Sequence, residues 1–178
     1  DTAFGIGCRI DDERAVKRLF TIRKRPLNQA VPVLFDSITR IREYVLPFGA
    51  QDKPFDSKVE QLMEEYWPGA LTIVLECQTS KVPVLVRGGG NAIGVRIPDN
   101  KIVRQLIKGA NIPILGPSAN FHGEQTPFNF RALDKRLIKL VDFVLEGKTK
   151  GQGIESTVVD CSKKPWKIIR QGEVALDL

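Results

Sequence analysis

Short apolar runs alternate along this chain with stretches whose apolar residues fall at helical spacing, and few architectures accommodate that alternation. The runs at 30–35, Leu71-Thr72-Ile73-Val74-Leu75, Ile93-Gly94-Val95-Arg96-Ile97 and 112–115 read as strands. More strands are expected at 141–145, 156–161 and 167–170. Helices are expected between them. The first starts at Asp11-Asp12-Glu13, runs through Val16, Leu19 and Phe20, and stops near Arg25 before Pro26. Asp36-Ser37 and Asp56-Ser57 can cap two more, and Asp99 or Asn100 a fourth that Gly109 closes. A fifth is expected over about 128–140. The class is therefore α/β or α+β with a mixed sheet. The short late strands predict antiparallel pairing at one end.

The chain has 178 residues, which fits a single domain over 1–178 that buries roughly 70% of its unfolded surface. Its formal charge of +6 favours acidic partners such as nucleotides and RNA, although a solvated basic surface accounts for it equally well. Cys8, Cys77 and Cys161 form no CxxC pair, so neither a zinc knuckle nor a disulfide framework is predicted, and free thiols in a reducing cytoplasm fit best. With His122 as the single histidine, multi-histidine metal sites are excluded and no metal ligands are assigned. No apolar run approaches the ~20 residues of a membrane span. The start at Asp1, without an initiator methionine, predicts that an N-terminal strand is missing.

Three separated segments point to an anion. Gly116-Pro117-Ser118-Ala119-Asn120 puts small polar residues at the end of an apolar run, where backbone N–H groups are expected to stay free. Arg23-Lys24-Arg25 lies at a helix end, where cations either complement the dipole or clamp a phosphate. The third segment is Glu155-Ser156-Thr157-Val158-Val159-Asp160, followed by Arg170-Gln171-Gly172. Ser156-Thr157 reads either as strand entry or as a pair facing a ligand. Arg96, inside an apolar strand, requires an anionic partner or a wet cavity. Gly88-Gly89-Gly90 lacks the lysine of a phosphate-binding loop and reads as a mobile surface loop, available as a lid.

In order along the chain, these motifs resemble those of the YrdC-like family, the threonylcarbamoyl-AMP synthases, almost end to end. Asp1-Thr2-Ala3-Phe4-Gly5-Ile6-Gly7 resembles the family's opening after its Pro-Thr, and the Arg23–Pro26 stretch its Lys-x-Arg-Pro. Trp67-Pro68-Gly69-Ala70-Leu71-Thr72, Gly94-Val95-Arg96-Ile97-Pro98, Ser118-Ala119-Asn120, Glu155–Asp160 and Arg170-Gln171-Gly172 each have a counterpart. There are departures. The opening Pro-Thr, whose threonine contacts substrate in the family, is absent, and the family lysine falls at Arg23. The chain ends as the short, single-domain form does.

The resemblance implies a twisted mixed sheet with flanking helices around a basic concave cleft. It implies a nucleotidyltransferase that makes threonylcarbamoyl-adenylate from L-threonine, bicarbonate and ATP, with Mg²⁺, for the threonylcarbamoyl-adenosine modification of transfer RNA. The product would pass to a downstream transferase acting on that RNA. By carry-over, Arg23 and Arg25 are the catalytic candidates. Arg23, Lys24, Arg25, Ser118, Asn120, Thr126 and Arg170 would line the ATP site. Arg96, Ser156, Thr2 and Thr72 would hold threonine. The alternative is a non-catalytic module that binds transfer RNA or double-stranded RNA on the basic face.

Overall fold

The computed structural model describes residues 1–47, 55–150 and 153–177. Its elements are α1 (Glu13–Arg23), β1 (Val33–Leu34), α2 (Ile38–Arg42), α3 (Ser57–Tyr66), β2 (Leu71–Glu76), β3 (Ala92–Arg96), α4 (Lys101–Ala110), β4 (Ile114–Leu115), α5 (Lys135–Ile138), β5 (Thr157–Asp160) and β6 (Lys167–Arg170). Helices and strands interleave as the apolar pattern requires. The six strands form one mixed sheet in the order β4-β1-β3-β2-β5-β6. β1 runs parallel to β3, and β2 parallel to β5. The remaining neighbours, including the late β5–β6 pair, are antiparallel.

Helix starts follow their caps. Asp12 accepts from the N–H groups of Arg14 and Ala15, Ser37 from Arg40, Asp56 from Lys58 and Asn100 from Val103. Each side chain satisfies N–H groups that the first turn leaves orphaned. β2 and β3 run through the core, where Leu71, Ile73, Leu75, Ile93 and Val95 pack with Val33, Leu115 and Val159. Phe20, Phe35, Phe55 and Met63 are buried in the same core.

Four expectations need correction. First, α1 ends at Arg23, because Lys24 turns left-handed at φ 52° and Arg25 N–H closes back on Phe20 O at 3.0 Å. Second, Gly109 lies inside α4, and left-handed Asn111 terminates it. Third, the helix expected over 128–140 splits into a 3-10 turn at Phe130–Ala132 and the short α5. Asn129 and Asp134 each cap a start, and Leu133 between them is extended. Fourth, 141–145 joins no ladder. It lines an apolar groove of about 630 Å³ together with Phe4, Leu19, Ile102 and Leu106.

The Gly88–Gly90 segment is a surface loop, as expected, and its turn is closed by local backbone hydrogen bonds. Gly88 N–H donates to Leu85 O at 3.1 Å and Gly89 N–H to Val84 O at 3.0 Å. Gly88 holds φ +59°, and a Cβ there would strike the backbone of 28–30. The neighbouring Val31–Val86 hydrogen bond, 3.0 Å, fixes the two segments together.

Candidate functional site

The site is built from side chains at the end of α1, on the central strands β2 and β3, and at the start of β5 and end of β6. α1 delivers Arg23, and the left-handed turn at Lys24 then sends consecutive cations in different directions. Arg23 points inward and is 3% exposed. Its Nε donates to Asn120 O and its Nη2 to Asn120 Oδ1, both at 3.0 Å. Its Nη1 is buried with no partner among the described residues. Burial first, then neighbouring Arg25, pulls the guanidinium down to about 10, while the charge of Glu155 works the other way.

Lys24 is exposed, with its ammonium 5.3 Å from the Phe121 ring centroid. Arg25 is half-buried and tied to the chain's own backbone. Nε donates to Gln29 O at 3.1 Å and Nη2 to Ala30 O at 2.6 Å. The fork expected to clamp phosphate thus braces its own loop, and burial lowers its pKa.

The Gly116–Asn120 loop is less open than its composition suggests. Gly116 N–H goes to Pro32 O, Ala119 N–H to Phe4 O and Asn120 N–H to Ser118 O. Among the described residues, the Ser118 N–H alone stays open in this loop. The side chains carry the site instead. Ser118 Oγ donates to Asn120 Oδ1 at 2.6 Å, and Asn120 Nδ2 donates to Glu124 O at 2.6 Å. Arg23, Asn120 and Ser118 therefore form one hydrogen-bonded unit.

A second unit joins β2, the start of β5 and the end of β6. Thr126 Oγ1 donates to Glu155 Oε1 at 2.7 Å, and Arg170 Nη1 to Glu155 Oε2 at 2.5 Å. Arg170 Nε meets Ser156 O at 2.9 Å, and its Nη2 meets Ser156 Oγ at 3.1 Å. The Ser156 hydroxyl pairs with Thr72 Oγ1 at 3.1 Å, and both residues are buried. The parallel β2–β5 register, Leu71 with Thr157 and Thr72 with Val158, brings these hydroxyls together. A Cβ at Gly172 would collide with the Glu155 and Ser156 backbone, so only glycine lets β6 leave the site this closely.

The third unit surrounds Arg96 at the end of β3, which is 7% exposed. Nε donates to Gly69 O at 2.8 Å, Nη1 to Thr2 Oγ1 at 3.2 Å and Nη2 to Asp1 Oδ2 at 2.7 Å. The anionic partner that a buried arginine requires is thus supplied by Asp1 within the chain. Burial pulls Arg96 down to about 10, opposed by Glu173, with Arg170 adding to the depression. Arg23 feels Glu155, and Arg96 feels Arg170 and Glu173. All three units therefore lie within electrostatic reach of one another.

Sequence reasoning missed Asp1 and Glu155 as site groups. Glu155 opens the Glu-Ser-Thr motif, so its signal was present. Asp1 was visible only as the residue before Thr2. His122 takes no part through its ring, although its backbone N–H donates to Arg23 O at 2.7 Å. Among the described residues no cluster of three or more His, Cys, Asp or Glu could hold a metal ion.

Residues 1–172 match the Sua5/YciO/YrdC family profile, described as telomere recombination. The chain is 29% identical to a threonylcarbamoyl-AMP synthase of Pyrococcus abyssi over 99% of its own length and 50% of that protein's. It is 28% identical to a threonylcarbamoyl-AMP synthase of Bacillus subtilis, over 98% of its own length and 48% of that protein's. It thus spans about half the length of both. A crystal structure of P. abyssi Sua5 complexed with L-threonine superposes with a TM-score of 0.85 at 30% identity, covering 96% of this chain and 48% of that one.

Proposed function

The chain belongs to the Sua5/YciO/YrdC family, and on that premise we propose that it makes L-threonylcarbamoyladenylate from L-threonine, bicarbonate and ATP, releasing pyrophosphate. The observation that carries this reading is Arg23. A guanidinium 3% exposed, with Nη1 unpartnered among the described residues, favours an anionic oxygen as the missing acceptor. A phosphate oxygen beside the Ser118–Asn120 unit suits that donor. Arg25, Lys24, Thr126 and Arg170 frame the rest of the nucleotide subsite.

The threonine subsite is the hydroxyl cluster of Thr2, Thr72 and Ser156 beside Arg96. Arg96 keeps N–H donors on Nη1 and Nη2 beyond those bound to Thr2 and Asp1. These would meet the amino-acid carboxylate. Bicarbonate takes up a proton and loses water, yielding carbon dioxide. The threonine amine adds to it with loss of a proton, forming a carbamate. A carbamate oxygen then attacks the α-phosphorus, and the bond from that phosphorus to the bridging oxygen breaks. Pyrophosphate leaves with the electron pair. The residues contribute position and positive charge rather than a covalent nucleophile.

Mg²⁺ is not fitted by protein ligands in this arrangement. The carboxylate oxygens of Glu155 are engaged by Thr126 and Arg170, so the ion would ride on the phosphate oxygens of ATP. The acyl-adenylate would be consumed by a transferase acting on transfer RNA. A cytoplasmic setting is in keeping with Cys8, Cys77 and Cys161 as free thiols. No helix among the described residues is long and apolar enough to cross a membrane.

Pyrophosphate release that requires both threonine and bicarbonate tests this reading. Steep, salt-sensitive duplex-RNA binding with no ATP binding would overturn it in favour of an RNA module. The burial of Arg23 and Arg96 argues against that module, since a phosphate backbone is met by exposed cations.

A further inference from the structure

Resting on the function proposed above, we infer that Glu155 is a positioning residue that acts through Arg170 to hold in place the Thr72–Ser156 hydroxyl pair, which has one hydrogen to spare for a ligand. The argument is a count of hydrogens. Thr72 and Ser156 each carry one hydroxyl hydrogen, and one of the two is used in their mutual bond at 3.1 Å. The remaining contact to this pair is Arg170 Nη2 on Ser156 Oγ, at 3.1 Å. A guanidinium only donates. Whichever hydroxyl donates to the other, one hydrogen is therefore left without an acceptor among the described residues. The pair is buried, and a buried donor without an acceptor is costly. The missing acceptor is an oxygen of the ligand, and beside Arg96 its chemistry is that of a carboxylate.

Glu155 holds the surroundings of this pair in place. Its carboxylate takes Arg170 Nη1 at 2.5 Å and Thr126 Oγ1 at 2.7 Å. Arg170 is thereby held with Nε on Ser156 O and Nη2 on Ser156 Oγ. If Arg170 swung away, Ser156 Oγ would lose its donor and the hydroxyl pair could reverse or take up water. A carboxylate within reach of Arg23 also opposes the approach of a polyanion. Its presence is explained by orientation rather than by attraction.

That opposition separates the inference from a merely structural role. In Glu155→Gln the site becomes more positive while Arg170 loses its charged anchor. ATP affinity, read by calorimetry, is expected to fall far less than threonine use, because the lost negative charge offsets the loosening of Arg170 and Thr126. The kcat/KM for threonine is expected to fall at least about tenfold, with Tm little changed. A uniform loss of ATP and threonine affinity, tracking a loss of Tm, would overturn the inference, as would unchanged threonine use. The second readout needs no activity. The Arg170 Nε–H signal in ¹⁵N NMR, assigned with Arg170→Lys, should be protected from solvent exchange in the wild type and lose that protection in Glu155→Gln. Retained protection overturns the inference by itself. A wild type that shows the protection, loses it in the variant, and yet makes no pyrophosphate refutes the proposed function while the anchoring of Arg170 stands.

Discussion

Replacing Arg23 by methionine tests the nucleotide subsite most directly, because the structure gives opposing magnitudes for its effect. In the free protein the guanidinium is drawn from 12.5 to about 10, chiefly by burial. At ~1.4 kcal/mol per unit, holding that charge inside costs about 3–4 kcal/mol. Against this stand the hydrogen bonds to Asn120 O and Oδ1, each worth about 1.5–3 kcal/mol. Methionine keeps much of the bulk and removes both contributions. Arg23→Met is therefore expected to lose no more than about 3 kcal/mol, or roughly 6–12 °C in Tm for a chain of this size. Pyrophosphate at about a hundred times its Kd should stabilise the wild type by about 2.7 kcal/mol and the variant not at all. The sign with pH is also fixed. A base whose folded pKa is depressed leaves the folded state holding fewer protons above about 10, so the wild type gains stability from this group there. The gap to the variant should be flat from about pH 6 to 9 and widen above 10. Thermal melts with and without pyrophosphate read both effects. A variant that keeps the pyrophosphate shift would refute the assignment of Nη1 to a phosphate oxygen.

Other expectations follow from single contacts. Arg96→Lys keeps the charge but cannot serve Gly69 O, Thr2 and Asp1 together, so the KM for threonine should rise about tenfold or more while ATP binding, measured by calorimetry, is preserved. Gly172→Ala would drive a methyl into the Glu155 and Ser156 backbone; urea unfolding should show a loss of about 1–3 kcal/mol, with pyrophosphate release falling in parallel. Burial pushes the Cys8 and Cys161 thiols up to about 12, so at pH 8 both should react with a disulfide reagent at least about 10²-fold more slowly in the native protein than in urea. Equal rates would show that these sites open freely.

The central strands and the helix starts were readable because their signals are local. β2 and β3 are apolar runs of fixed length, and Asp12, Ser37, Asp56 and Asn100 are caps recognisable by residue type. What was not readable depends on competition or on distant partners. Asn129 and Asp134 offer rival starts, and the sequence does not say that both succeed. An apolar run such as 141–145 reports a tendency to be covered, not a strand neighbour. The Ser118–Asn120 side chains were picked out by motif. That the loop's N–H groups are spent on Pro32 and Phe4 could be known only from the fold. In the same way, Arg96 announced its need for an anion, and only the folded chain names Asp1 as the partner.

The place of β5 has a consequence for how the molecule is made. This strand is formed late in the sequence yet lies second from one edge of the sheet, directly beside β2. Arg23, Thr72 and Arg96 therefore emerge from the ribosome long before Ser156 and Arg170 can join them. Contacts this distant along the chain form slowly and after local ones. Until they form, the nascent chain carries Arg23, Thr72 and Arg96 without the Glu155 carboxylate, the Ser156 hydroxyl and the Arg170 fork that complete the site. At ~5–20 residues per second, the interval between synthesis of β3 and of β6 is on the order of ten seconds. Throughout it the growing protein can attract polyanions but cannot assemble the site proposed to use them.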